Sequence, residues 1–448
     1  MTVALAGALF LQVISLVILR LRLGPGWLLR PVTLLVLVSV VCDGVSQILL
    51  IDPSVAAQDN FRIGIPRSLI GPAAVLLSAA MLAFTVAYLF MRPERADATG
   101  ADVERTRRLL DWRVFAVACA PLAVLTYEGR GFNSLLTTGA GAPGISALAS
   151  EFFALLLILA AFGFLLRHGY RWFTVVVAIQ SALLAAAGER TPVIGGAIAL
   201  IVLCARAGAR PSGRQVAGGV AVILVGFLAV SGVRAAQGRD IYYTSSGFRN
   251  RTVAAATGFE TAVAGDWGRL LAQDAARTDG TSFTAAILEA RDLGHSSLPW
   301  TDVPESLLLA IPSVIWQSKL SSGNLDPALT EINDFGLHKV NFLPGLPGLY
   351  VGYLTPMWLL VFLAAAGIGA GAGERWLLRR VTAARLVLLA GSVTAAMAFQ
   401  QGLPGMLVQL RAAIAVAIII KGAELVRNRR GTRQDAAPAE GRFAAAQP

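Results

Sequence analysis

Residues 148–206 read LASEFFALLLILAAFGFLLRHGYRWFTVVVAIQSALLAAAGERTPVIGGAIALIVLCAR. Three apolar runs follow one another here, at 148–166, 172–188 and 192–205. Each comes near the ~20 residues that a helix needs to cross the hydrocarbon core of a bilayer. The breaks between them are short and charged. Arg167, His168 and Arg171 fill the first, and Gly188-Glu189-Arg190-Thr191-Pro192 fills the second.

The same alternation extends in both directions. Further apolar runs fall at about 2–19, 31–51, 68–91, 113–127, 216–233, 345–372, 386–402 and 405–421. Over the 448 residues, apolar side chains make up 56% and charged ones 15%; soluble domains average about 45–50% and about 25%. Mean hydropathy is +0.65. The chain is therefore expected to be an all-α polytopic membrane protein, with about eleven transmembrane helices and one large extracytoplasmic loop. Its formal charge of +11 comes from 38 Lys+Arg against 27 Asp+Glu. The arginines collect in alternate short connections, such as Arg92, Arg95, Arg105, Arg107 and Arg108, so the positive-inside rule accounts for them and nucleic acid need not be invoked. On that rule the N-terminus lies outside and the C-terminus is cytoplasmic. The first apolar run has no basic segment before it and reads as a membrane helix rather than a cleaved signal.

Four regions follow: 1–233 with eight membrane helices, 234–344 as the large loop with short helices, 345–426 with three more membrane helices, and 427–448 as a disordered cytoplasmic tail. The loop holds more carboxylates than basic residues, unlike the rest of the chain. Within it, 260–277 and 282–293 read as helices. Asp302-Val303-Pro304-Glu305 reads as a capping-box start, with Asp302 as the N-cap. The helix it opens, Ser306 to Ile311, stops at Pro312. Apolar residues such as Trp267, Leu270, Leu271, Ile287 and Leu288 suit the membrane surface or the top of the bundle. A loop of this length is usually functional.

Charges placed in or beside lipid are costly, so they mark candidate sites. Arg190 lies in the tight outer hairpin, Arg234 ends the eighth span, and Arg411 sits within the last one. All three belong to the outer side, against the positive-inside preference. Each could pair locally or snorkel; together, beside a large loop, they suit an anion site, since guanidinium forks match phosphate geometry. Glu151 and Asp43 are the carboxylates that could balance them. Gln180, Gln400 and Gln401 could join helices by hydrogen bonds. Gly367, Gly369, Gly371 and Gly373 read as close-packing positions rather than a phosphate loop, because no strand precedes them. In the loop, Arg249 and Arg251 follow Tyr242 and Tyr243, a pattern suited to sugars and phosphates or to an ordinary solvated surface. His338 precedes the return to the membrane and could act as a general base or be a surface histidine. The three cysteines, Cys42, Cys119 and Cys204, and the three histidines show neither a disulfide framework nor zinc-ligand spacing. No metal and no cofactor are expected. No internal repeat of the transporter kind stands out.

Three stretches carry a resemblance. The first is Gly188-Glu189-Arg190-Thr191-Pro192, the second Ile311-Pro312-Ser313-Val314-Ile315-Trp316-Gln317-Ser318-Lys319, and the third Leu346-Pro347-Gly348-Leu349-Tyr350-Val351-Gly352-Tyr353. In their order, and in the dominant loop of the second half, they resemble the O-antigen polymerase and oligosaccharide repeat-unit polymerase family over most of residues 170–372. Ser313 departs from the family pattern, which has an arginine after the proline; Lys319 is the candidate substitute. The resemblance implies a GT-C-like glycosyltransferase architecture in the bacterial inner membrane. It also implies transfer of a glycan from polyprenyl diphosphate to the hydroxyl of an acceptor sugar, on the outer face. Arg190, Arg234 and Arg411 would then stabilise the diphosphate leaving group. Tyr242, Tyr243, Trp316, Lys319, Arg249 and Arg251 would contact sugar or loop, and His338 or Glu189 would take the acceptor's proton. The partners implied are the lipid-linked oligosaccharide, membrane lipids, and a chain-length regulator or flippase, with no nucleic acid.

Two other readings stand beside this one. A ligase-like enzyme would pass the glycan to another acceptor. A flippase for lipid-linked glycan would need polar groups near the bilayer midplane, whereas here they gather toward the outer side.

Overall fold

The structure is a computed structural model that describes residues 2–45, 67–91, 100–128, 144–186, 190–208, 212–237, 279–311 and 345–435, together with residues 253, 256, 257, 260, 330, 331, 334 and 335. Among the described residues it is all-helical. In chain order the helices are α1 (Thr2–Leu23), α2 (Pro31–Ser39, continued by a π turn Val40–Val45), α3 (Arg67–Phe90), α4 (Gly100–Leu109), α5 (Trp112–Glu128), α6 (Gly144–His168), α7 (Phe173–Ala186), α8 (Arg190–Arg206) and α9 (Gly213–Gln237). Beyond them come α10 (Gly280–Asp292), α11 (Asp302–Ser306), α12 (Gly345–Gly348), α13 (Pro356–Leu378), α14 (Ala383–Met397) and α15 (Gly402–Asp435).

Among the described residues six helical stretches are long and apolar enough to cross a membrane: Val3–Leu23, Ser68–Phe90, Thr106–Thr126, Leu148–His168, Pro356–Leu378 and Phe399–Val426. This is the make-up of a multi-pass α-helical membrane protein. Five shorter apolar helices, Pro31–Gly44, Tyr170–Ala185, Pro192–Arg206, Gly213–Gly226 and Ala383–Met397, occupy the other stretches singled out in the sequence. Large apolar side chains also face outward: Val3, Phe10 and Val17 on α1, Val114, Val117 and Val124 on α5, Ile414 and Ile418 on α15. In water such faces would drive aggregation, whereas acyl chains solvate them.

Helix α8 lies at the centre, touching α6, α7, α9 and α14. Val193, Ala197, Leu200, Leu203 and Cys204 are accordingly buried. On one side α3 packs against α1, α13 and α10, and on the other α14 packs against α15 and α2. The α3–α13 approach depends on missing side chains. A Cβ at Gly367 would strike the Phe84 carbonyl, and one at Gly371 would come within 2.9 Å of the Tyr88 carbonyl. Gly369 and Gly373 face open space, so only two of the four glycines are packing positions.

The bundle has two distinguishable ends. At one, loop residues 279–311 and 345–354 lie against it: Gly345 packs on Phe399, and Gly402, at φ +65°, leaves room for Leu349. At the other, Arg206 donates to the Leu378 carbonyl.

Some expected boundaries move. The ninth apolar stretch, 345–372, opens as the short α12 and a series of turns; the long helix starts at Pro356. Thr355 is its N-cap, accepting from the Trp358 N–H at 3.5 Å, with proline next. Asp302 is not an N-cap: Thr301 holds that place without a side-chain bond, and Asp302 is the first residue of α11. The segment Leu307–Ala310 continues as a 3-10 turn rather than an α-helix. Of the two helices expected earlier in the loop, 282–293 is α10, while most of 260–277 lies outside the described residues. Finally, α15 runs on to Asp435, past Arg427 where the disordered tail was expected to begin. Lys421 and Glu424 pair at 3.0 Å in the turns just before it, an i,i+3 contact that supports the helix.

Candidate functional site

The ion pair at the loop-bearing end joins two helices far apart in the chain. Glu151 lies in the third turn of α6, and Arg411 in the third of α15. Arg411 Nε donates to Glu151 Oε2 at 2.7 Å, and its Nη2 donates to Glu151 Oε1, so the fork is bidentate. Nη1 donates to the carbonyl of Ala310, at the end of the loop's 3-10 turn, at 3.3 Å. The side chains are 13% and 2% exposed. A carboxylate this deep needs a charged partner to remain ionised. Of the two carboxylates expected to balance the outer arginines, Glu151 does so for Arg411. Among the described residues three of the five guanidinium N–H groups find partners, in a fixed plane at the foot of the loop.

Arg190 is the first residue of α8, whose last residue, Arg206, is at the far end of the bundle. A helix of this length is about 25 Å long, so Arg190 belongs to the loop-bearing end. Helix α9 runs the same way as the loop's departure. Its first turn is tied to the start of α7 by Gln215 Nε2 donating to the Tyr170 carbonyl at 3.0 Å and Thr174 Oγ1 donating to the Gln215 carbonyl at 3.3 Å. Arg234 is in its last turn, at the loop-bearing end. The three arginines thus share one end of the bundle. Glu189, Tyr242, Tyr243, Arg249, Arg251, Trp316, Lys319 and His338 lie outside the described residues.

A second clasp joins loop to bundle where the chain returns toward the membrane. Arg291, at the end of α10, donates to the carbonyls of Gly352 at 2.9 Å and Leu354 at 3.1 Å, and to Ser297 Oγ at 2.9 Å. Glu331 Oε1 accepts from the Gly352 N–H at 2.7 Å. Burial draws the Arg291 guanidinium below its ordinary pKa, and the Glu331 charge beside it acts in the opposite sense. The turn at 350–354 is therefore held from two sides, with Tyr350 set edge-on to Phe362 at 4.9 Å.

Asp43, the other expected counter-charge, pairs with no arginine among the described residues. Ser39 Oγ donates to its Oδ2 at 3.0 Å. Asp279, the N-cap of α10, accepts from the Ser282 N–H at 3.1 Å and lies close enough to Asp43 for the two charges to interact. Gln400 joins helices as expected, donating to Cys42 Sγ at 3.0 Å. Gln180 does not: it is buried against Gly196, and neither its amide oxygen nor its nitrogen finds a partner among the described residues.

Neither the Arg291 clasp nor a network around Glu374 was expected from the sequence. Near the far end of the bundle, Glu374 on α13 accepts from Tyr88 Oη at 2.7 Å, from Arg30 Nη1 at 3.2 Å and from the Val32 N–H at 3.3 Å. A single carboxylate in the last turns of an apolar helix was the available signal. With its lone pairs taken by three donors, Glu374 reads as a structural tie between α13, α3 and the start of α2. Among the described residues no three His, Cys, Asp or Glu side chains converge as a metal site. Comparison with family models, with curated proteins and with solved structures gives no match to this chain.

Proposed function

We propose that this chain is a membrane glycosyltransferase that polymerises lipid-linked oligosaccharide repeat units. It would pass the growing glycan from polyprenyl diphosphate to a sugar hydroxyl at the loop-bearing face of the bundle. The observation that carries the reading is the Arg411 fork, held by buried Glu151 and tied to the loop through Ala310. A guanidinium fixed at a membrane boundary suits a diphosphate whose lipid tail stays in the bilayer. The positions of Arg190 and Arg234 at the same end support this. All eleven apolar helices then cross the membrane, the loop is extracytoplasmic, and the arginine-rich end is cytoplasmic.

In the reaction, the acceptor hydroxyl attacks the anomeric carbon of the donor, whose bond to the diphosphate oxygen breaks. The lipid diphosphate leaves as an anion that the arginines neutralise, and the hydroxyl proton goes to a base, for which His338 and Glu189 are the candidates. Tyr242, Tyr243, Trp316, Lys319, Arg249 and Arg251 are the loop residues proposed to hold sugar. The membrane partners are those the resemblance implies. In cells that depend on the chain, its loss should leave single lipid-linked repeat units. The wild-type gene should restore long polymer and Arg411→Ala should not; long polymer from the Arg411→Ala chain at normal membrane abundance would refute the proposal.

A further inference from the structure

At the end of the bundle away from the loop, the link from α13 to α14 carries Arg379 and Arg380, both exposed, and Arg385 follows in the first turn of α14. Their guanidinium groups are close enough for like-charge repulsion. Arg385 also stacks over the Trp376 ring, 4.6 Å from its centroid. Its Nη1 is buried and has no hydrogen-bond partner among the described residues. None of the three forms an ion pair with a described carboxylate; Glu374, the nearest in sequence, is already held by Arg30, Tyr88 and Val32. A buried guanidinium donor left unpaired beside two like charges is a cost that a bound anion removes.

A cleft adjoins this cluster. It lies between the turn before α2 and the ends of α8 and α13, and Leu29, Arg30, Val202, Arg206, Leu378 and Leu389 are among its walls. Leu378 precedes Arg379, and Leu389 lies one helical turn beyond Arg385 on the same face of α14. A small cleft of mixed lining, with Arg30 and Arg206 among its walls, thus opens beside a basic cluster. Trp376, 48% exposed, stands beside Arg385 near the end of the apolar helix Pro356–Leu378, a position that suits an aromatic side chain at the headgroup level.

We infer that this end of the bundle is a binding site for an anionic phospholipid, with its phosphate on Arg379, Arg380 and Arg385 and its acyl chains in the bilayer beside the exposed Trp376. Charge complementarity selects the anion, and the exposed Trp376 ring near the end of an apolar helix selects a lipid over a free ion. The site is independent of the glycan-transfer reading and stands on the other side of the membrane from it.

The test is native mass spectrometry of the full chain, delipidated in detergent and titrated with phosphatidylglycerol, with phosphatidylcholine of the same acyl chains, and with inorganic phosphate. Phosphatidylglycerol should bind at least tenfold more tightly than phosphatidylcholine, and the Arg379→Gln/Arg385→Gln chain should lose that preference. Since Arg385 touches the packed face, Arg379→Gln/Arg380→Gln provides a second variant confined to exposed side chains, and it should weaken binding too. Arg171→Gln, which removes another arginine set over a tryptophan, should leave the preference intact. Equal binding of the two lipids, unchanged binding in both double variants, or displacement of the lipid by equimolar phosphate would each overturn the inference.

Discussion

Arg411 and Glu151 present a problem of separation at the residue scale, because one pair serves both stability and the proposed chemistry. Removing Arg411 alone strands a buried carboxylate, and Arg411→Ala should destabilise the protein by about 3–5 kcal/mol. Replacing both partners, as in Glu151→Leu/Arg411→Met, should cost much less because no charge is stranded. Thermal unfolding in detergent reads the difference. Polymer formation should be absent from both variants, so activity and stability separate in the second. Arg411→Lys should keep the charge and lose the fork, leaving a folded but strongly impaired enzyme. Tyr88→Phe at the far end should cost on the order of 1.5–3 kcal/mol, the worth of a hydrogen bond to a charged group, with polymer length unchanged at permissive temperature. The pairing of Arg411 with Glu151 was only half legible. Both residues stood out as charges in apolar runs, but they are separated by 260 positions, and sequence gives each residue's depth without saying which helices are neighbours. Arg30 and Glu374, 344 positions apart, show the same limit.

At the scale of elements, the α3–α13 contact makes a prediction that composition alone would not. Gly367→Ala and Gly371→Ala should each push the helices apart and cost about 1–3 kcal/mol, because the carbonyls of Phe84 and Tyr88 cannot give way as a flexible side chain could. Gly369→Ala and Gly373→Ala meet open space and should be neutral, or stabilising by up to about 1 kcal/mol through helix propensity. Unfolding midpoints of the four variants test the pattern, and a uniform response would contradict it. The helices themselves were legible because lipid demands long apolar runs. The segment at 345–354 was misjudged for a physical reason. A turn buried on top of a bundle needs the same apolar composition as a membrane helix, and Leu346, Leu349, Tyr350, Val351 and Tyr353 supply it. The stronger signal was Thr355-Pro356, a capping residue followed by a proline at the first helical position.

For the whole molecule, the two ends differ in kind. One bears the loop, the Arg411 fork and the Arg291 clasp; the other bears the Arg379, Arg380 and Arg385 cluster and the Glu374 tie. The proposed orientation predicts that, in a chain lacking its native cysteines, Leu293→Cys is labelled by an impermeant thiol reagent in intact cells. Arg379→Cys should be labelled only after the membrane is opened. Both positions are exposed, so accessibility reports sidedness rather than burial. The loop residues proposed to bind sugar rest on local composition and a resemblance, since loop contacts follow from tertiary placement and leave no periodic pattern. The central claim, glycan transfer from a lipid diphosphate at the loop-bearing face, is tested most directly with purified protein in liposomes. Synthetic polyprenyl-diphosphate oligosaccharide would be supplied on that face alone, without nucleotide, and the products read by gel and mass spectrometry. The account predicts a ladder of repeat units with release of lipid diphosphate, abolished in Glu151→Leu/Arg411→Met; intact substrate recovered from the opposite leaflet, with no ladder, would contradict it and mark a transporter.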